Sequence, residues 1–328
     1  MEKDLTKKRG LSDNCRYADL INGLVFQGKQ LVREQDLSDM DSQTGMWGSL
    51  PAGGKHRHKQ RYRDLVRKVA FGVNFAVVGI ENQEEVNYLM PLRNMAYDAA
   101  EYERQAAAIG KSVHMRSDIT AAEFLSGFAK ADKLHPCITL VLFFGEKWEG
   151  SRDLYGILDM TSIPKELRAY INNYPIHVFE VRSLENTEVF QTDLKQIFDF
   201  IRYSKDKEKL RKLVQNDPAY QNMAEDAYDM VVEYTHADEM ISVKKYYGKD
   251  GKVNMCEALT ALIEDGRQEG ISQGIEQGIE QGIEQGIKAL IETCQDLGIS
   301  QGDTSSKVQE KFSLPIERMQ EYIEKYWR

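Results

Sequence analysis

KHRHKQRYRDLVRKVAFGVNFAVVGIENQ, residues 55–83, is the stretch on which the reading of this chain turns. It opens as a run of cations and breaks into two short apolar segments. RYRDLVRKV (61–69) carries β-branched and aromatic residues and one acid, Asp64. Gly72 and Asn74 then supply turn chemistry, and the apolar pattern resumes from Phe75 to Ile80. The pattern predicts a β-hairpin. In a strand, residues two apart share a face, so Glu81 and Gln83 point one way and Asn82 the other. Pairing of the two strands would bring Asp64 and Glu81 close across the ladder. Like charges so placed repel unless a hard divalent cation with oxygen ligands neutralises them. The plainer alternative is that Asp64 pairs with Arg61, Arg63 or Arg67 and Glu81 ends a strand at the surface.

Charge separates these readings. Residues 55–68 hold seven Lys/Arg (Lys55, Arg57, Lys59, Arg61, Arg63, Arg67, Lys68) against one acid, Asp64. The segment is +6 in a chain of net −9, which leaves −15 for the rest. A charge run is commonly a solvated face. A lone basic segment in an acidic protein, carrying a candidate metal ligand, fits a polyanionic substrate.

Several stretches, taken in order, resemble one family. They are SDNCRYADLINGLVFQGKQ (12–30), Asp64, Gly79-Ile80-Glu81-Asn82-Gln83 and MPLRNMAY (90–97), then FLSGFAKADKLHPCITLVLFFG (124–145) and FQTDLKQIFDFIRYSKDKEKL (190–210). This set is similar to the PD-(D/E)XK nuclease-family transposases, or recombination-promoting nucleases, which use a Glu-x-Gln form of the motif. The likeness covers most of residues 10–270. It implies an α/β restriction-endonuclease-like core, a central mixed sheet flanked by helices, with a helix leading into three strands. It places Arg93 and Tyr97 against the active site, and it implies DNA cleavage connected with recombination or transposition.

Composition sets outer bounds. At 328 residues the chain has room for one large domain or two, and its 41% hydrophobic and 29% charged content are those of a soluble globular protein. MEKDLTKKRG lacks the apolar core of a signal peptide, and no run approaches a membrane span. The four cysteines, Cys15, Cys137, Cys256 and Cys294, are far apart with no CxxC pair. They predict reduced, mostly buried thiols in a cytoplasmic protein. His56, His58 and His135 lack zinc-ligand spacing.

Along the chain, CRYADLINGLVFQ (15–27) sets Tyr17, Leu20, Ile21, Leu24 and Val25 at helical spacing. Asp19 on this helix is either a third acid of the site or a surface or capping carboxylate. The resemblance implies a first strand at residues 29–32, and 36–60 are expected to form a loop that either covers substrate or is disordered. A long helix is expected over 85–109, where Arg93 and Tyr97, four apart, share a face and Arg93 has the fork to grip a phosphate. A salt bridge and an amphipathic core tyrosine are the other reading of that pair. A short helix falls within 110–135. ITLVLFF (138–144) reads as a central strand buried on both faces, and 175–181 as a strand at the end of the sheet. Helices follow beyond Phe190. The expected divisions are a nuclease-like core (1–185), a helical extension (186–262), a repeat helix (263–290) and a helical cap (291–328).

GISQ-GIEQ-GIEQ-GIEQ-GIKA (270–289) is a four-residue repeat, with glycines from Gly266 to Gly286 and isoleucines from Ile271 to Ile287. Four residues overshoot a helical turn, so the isoleucine stripe drifts about 40° per repeat. Six glycines cost about 5–6 kcal/mol against alanine in a helix, and Glu276, Glu280 and Glu284 add like-charge repulsion. Such a helix either packs on a partner, most simply a second copy of itself, or is partly disordered. SLPIERMQEYIEKYW (313–327) predicts a closing helix.

Together these observations predict a metal-dependent endodeoxyribonuclease. Asp64 and Glu81 would hold Mg²⁺ or Mn²⁺. Gln83 would stand at the usual lysine position, where it can hydrogen-bond water or phosphate yet is neither cation nor base. Arg93, Tyr97, Lys59, Arg61 and Arg63 would bind substrate. Nothing in the residues separates DNA from RNA. The alternative is a nucleic-acid-binding or oligomeric interaction protein that retains the nuclease fold without its activity.

Overall fold

The computed structural model describes residues 10–39, 43–45, 60–62, 65–71 and 74–327. Two compact units emerge, Met1–Ala258 and Leu259–Arg328. In the first, the Asp13 side chain caps helix α1 (Asn14–Leu24) by accepting from Arg16 N at 3.0 Å. Tyr17, Leu20 and Ile21 are buried as their spacing predicts, whereas Val25 is exposed at the helix end. The expected strand over 29–32 does not form. The buried Asn22 side chain accepts from Leu31 N and Val32 N and donates to Val32 O, so it holds this segment as an irregular loop.

The first strand is instead β1 (Leu37–Asp39), inside the stretch read as loop; β2 (Gln43–Gly45) and β3 (Gln60–Tyr62) pair antiparallel as a separate ribbon. The hairpin is present as β4 (Leu65–Phe71) and β5 (Asn74–Gln83), antiparallel with Leu65 opposite Ile80. Helix α2 (Met90–Val113) begins five residues later than expected, with Pro91 in its first turn, where a missing N–H costs nothing. Next come α3 (Ala121–Ser126), capped by Thr120, then β6 (Cys137–Phe143), α4 (Lys165–Arg168) and β7 (His177–Glu180).

The main sheet has five strands in the order β1-β4-β5-β6-β7, antiparallel as far as β5 and parallel from β5 to β7. The apolar run becomes β6, hydrogen-bonded on both sides, and its last five residues are buried.

Strand alternation assigns the faces. Arg67, paired with Val78, turns to α1, where its guanidinium lies 5.4 Å over the Tyr17 ring; Tyr17 Oη donates to Val78 O at 2.7 Å. The opposite face carries Gly79, Glu81 and Gln83 of β5 beside Thr139, Val141 and Phe143 of β6. On that side Met90, Val141, Phe143, Trp148 and Ile176 form a core beneath α2. Gly145 lets the chain leave β6 closely past β5, since a Cβ there would lie 2.5 Å from Glu84 O.

Helices α5 (Leu194–Tyr203), α6 (Lys207–Asn216), α7 (Glu225–Thr235) and α8 (Glu239–Tyr247) complete the first unit, as expected beyond Phe190. A small sheet of β8 (Met223–Ala224), β9 (Gly248–Lys249) and β10 (Lys252–Val253) was not foreseen. Arg16 of α1 forks onto Asp193 at 2.7 Å and Asp226 at 2.6 Å, tying α1 to α5 and α7.

The repeat lies in one unbroken helix, α9 (Met255–Asp296), followed by α10 (Gln301–Phe312) and α11 (Ile316–Tyr326). In the second unit Ile287 and Ile291 are buried among Val308, Met319 and Ile323. Among the described residues no helix is long and apolar enough to cross a membrane. All four cysteines are free; Cys15 is exposed, against expectation, with its thiol pushed up to about 11 by the hydrogen bond to Glu34, burial and nearby acids.

Candidate functional site

Glu81 lies on β5 beside Val141 of β6, on the α2 face of the sheet, and is 1% exposed. A carboxylate so buried needs a compensating charge or a set of donors. Arg93, in the first turn of α2, brings Nη2 to 3.4 Å from Glu81 Oε2 and donates from the same nitrogen to Tyr97 Oη at 2.9 Å. The guanidinium lies 5.8 Å from the Tyr97 ring centroid, and Tyr97 is buried. Arg93 and Tyr97 share a face as their spacing predicts, and what the structure shows of the pair is the salt bridge and core tyrosine of the second reading, with Tyr97 orienting Arg93. The Arg93 side chain is 34% exposed against 2% for Glu81, so the pair links a buried carboxylate to solvent through a cation. Gln83 is half-buried, two residues on and on the same face, and its carbonyl accepts from Phe144 N at 2.8 Å.

Asp64, Lys59 and Arg63 lie outside the described residues. Asp64 is one peptide bond from Leu65, whose ladder partner Ile80 is one peptide bond from Glu81. Arg61 lies on β3 opposite Thr44 of β2. Within the basic run, Arg67 is a correction. It is buried, with hydrogen bonds to Ser12 O at 3.1 Å and Asn14 Oδ1 at 3.4 Å, and it holds α1 on the sheet instead of facing a polyanion.

Asp19, read either as a third acid or as a capping carboxylate, is not brought to Glu81 by any described hydrogen bond. Its oxygens accept from Gln191 N at 2.9 Å, from Thr192 N at 2.7 Å and from Thr192 Oγ1 at 2.7 Å. Those bonds anchor the chain entering α5 onto α1, on the Arg67 face of the sheet.

A polar row behind Arg93 was missed. Asn94, Asp98, Glu101 and Gln105 follow helical spacing along the face of α2 that meets β6, and all four are buried. Thr139 Oγ1 donates to Asp98 Oδ1 at 2.9 Å, Tyr174 Oη donates to Asp98 Oδ2, and Gln105 Oε1 accepts from His135 N at 2.7 Å. Glu101 takes both forks of Arg104, at 2.7 and 2.6 Å. The row fixes the register of α2 on β6 and, through it, the position of Arg93 relative to Glu81. The signal was present in the sequence as polar residues at apolar spacing.

Among the described residues no group of three or more His, Cys, Asp or Glu is disposed to hold a metal ion. The Glu81 carboxylate is a donor on this face that suits a hard divalent cation. Compared with known proteins, the chain matches no family model, no curated protein and no solved structure.

Proposed function

We propose that the chain is a divalent-metal-dependent endonuclease with a core of the PD-(D/E)XK type, acting on DNA in recombination or transposition. The observation that carries the reading is the buried Glu81 carboxylate, set at the parallel side of a mixed sheet against a partly exposed guanidinium. Glu81 with Asp64 would hold Mg²⁺ or Mn²⁺. The ion, when bound, would supply charge stabilisation at the scissile phosphate and lower the pKa of a bound water.

The chain's own residues do the rest. Arg93 compensates Glu81 in the free protein and has the exposure to turn its fork to a phosphate, a geometry that a lysine lacks. Tyr97 orients that fork. Gln83, on the Glu81 face, hydrogen-bonds water or a phosphate oxygen and takes no proton. Lys59, Arg61 and Arg63 give sequence-independent attraction for the backbone.

Incubation of supercoiled plasmid with the purified chain, with and without Mg²⁺, tests the reading alongside Asp64→Ala. Metal-dependent nicking by the parent and none by a folded Asp64→Ala protein is the expected result. Salt-dependent DNA binding without cleavage in Mg²⁺ or Mn²⁺ would assign the fold to nucleic-acid binding alone. A substrate preference for RNA in the same assay would move the substrate class while keeping the site.

A further inference from the structure

Ile271, Ile275, Ile279, Ile283, Ile287 and Ile291 fall every fourth residue on α9. The row is covered at one end only. Ile287 and Ile291 are fully buried beneath Val308, Met319 and Ile323, while Ile271, Ile275, Ile279 and Ile283 are exposed by 46, 58, 59 and 39%. The glycine row beside it divides in the same way. At Gly286 an added Cβ would meet the Phe312 ring at 3.1 Å; at Gly266, Gly270, Gly274, Gly278 and Gly282 it would meet nothing within 4 Å. The covered end shows what this surface accepts, a bulky side chain of a second helix set over a glycine.

We propose that two copies of the chain associate through the open part of this face, the isoleucine ridge of one α9 lying in the glycine groove of the other. The occupant follows from the pattern. Ridge and groove are adjacent rows of one helix with one pitch, four residues or about 6 Å. A second copy brings the same isoleucine ridge and the same open glycine row, so near the crossing the glycines of each copy receive the isoleucines of the other. Rows spaced by four interdigitate when two helices cross at about −50°, which also follows the drift of the stripe. Each copy offers the same patch to the other, as a two-fold interface requires. The face is continuous with the interface inside the second unit. Two of the three repeat glutamates that would oppose the pairing have cations within their own copy. Arg318 lies 3.6 Å from Glu280, and Lys325 lies 2.7 Å from Glu284, whose carboxyl the Lys325 and Tyr326 hydrogen bonds hold below its usual range.

Sedimentation equilibrium of the full chain, alone and as the double variant Gly274→Gln and Gly278→Gln, tests the proposal. Glutamine fills the groove yet favours helix over glycine, so the variant keeps or gains helicity by circular dichroism while its groove closes. The expected results are a dimer for the parent, association weakened at least tenfold in the double variant, and an unchanged dimer for the control Gly302→Gln on α10. A parent that is monomeric at about 100 μM overturns the proposal, as does a helical double variant that still dimerises. A monomeric parent that pellets with anionic lipid vesicles overturns it too, and reassigns the face to a membrane surface. Nuclease activity enters none of these readouts.

Discussion

Glu81 tolerates burial because Arg93 stands 3.4 Å away and Tyr97 fixes that arginine. On the proposed nuclease reading, Arg93→Ala lowers plasmid nicking by about 10²–10³-fold, the scale for losing one donor aimed at developing charge, and Arg93→Lys restores little of it. Steady-state nicking rates at saturating Mg²⁺ check this. Arg16 is the structural counterpart. Arg16→Met strands Asp193 and Asp226, which keep 28 and 50% side-chain exposure, so the loss should be about 3 kcal/mol, the low end for breaking a buried pair. Urea titration measures it. The Arg16 hydrogen bond holds the Asp226 carboxyl below its usual range, so this stabilisation is complete above the ordinary carboxylate pKa and is lost as pH falls through the lowered one. The parent-to-variant difference should then shrink below about pH 4. That Arg93 and Tyr97 share a face was legible because the helix period is local; the Arg93–Glu81 pair, between a helix and a strand, was not foreseen. Nor were the partners of Asp19 and Arg67, because period gives a residue's face and not the element that arrives on it.

At the scale of elements, β6 was the most legible, since a seven-residue apolar run has one home, between two strands. The hairpin was legible for the same local reasons. The strand misplaced at 29–32 and the true β1 differ by one side chain, Asn22, whose amide competes for the backbone of Leu31 and Val32. Two-residue strands such as β8, β9 and β10 have no period to read. The α9 helix persists against glycine propensity with help from Glu264, which accepts from Arg267 and Gln268, and from the covered end of its isoleucine row. Ile291→Ala should cost about 3 kcal/mol by leaving a cavity under α10 and α11. Hydrogen exchange in α10 and α11 should speed accordingly, and unchanged protection would show that this cluster does not hold the unit together.

At the scale of the molecule, an acidic chain carries its excess cations in one segment, 55–68, of which Arg67 is spent on packing. Changing Lys59, Arg61 and Arg63 together to glutamine should flatten the slope of log affinity for duplex DNA against log salt by about 2–3, with little effect on sequence preference. An unchanged slope would make the run a solvated face. The two units divide at Ala258, and the expected start of the repeat helix at 263 falls inside α9, which runs unbroken from Met255 to Asp296. The most direct test of the account is a Mg²⁺ titration of supercoiled-plasmid nicking by the parent and by Glu81→Gln, each shown to be folded by the same thermal melt. The account predicts saturable Mg²⁺-dependent nicking by the parent and its loss in Glu81→Gln; equal nicking by both proteins would contradict it.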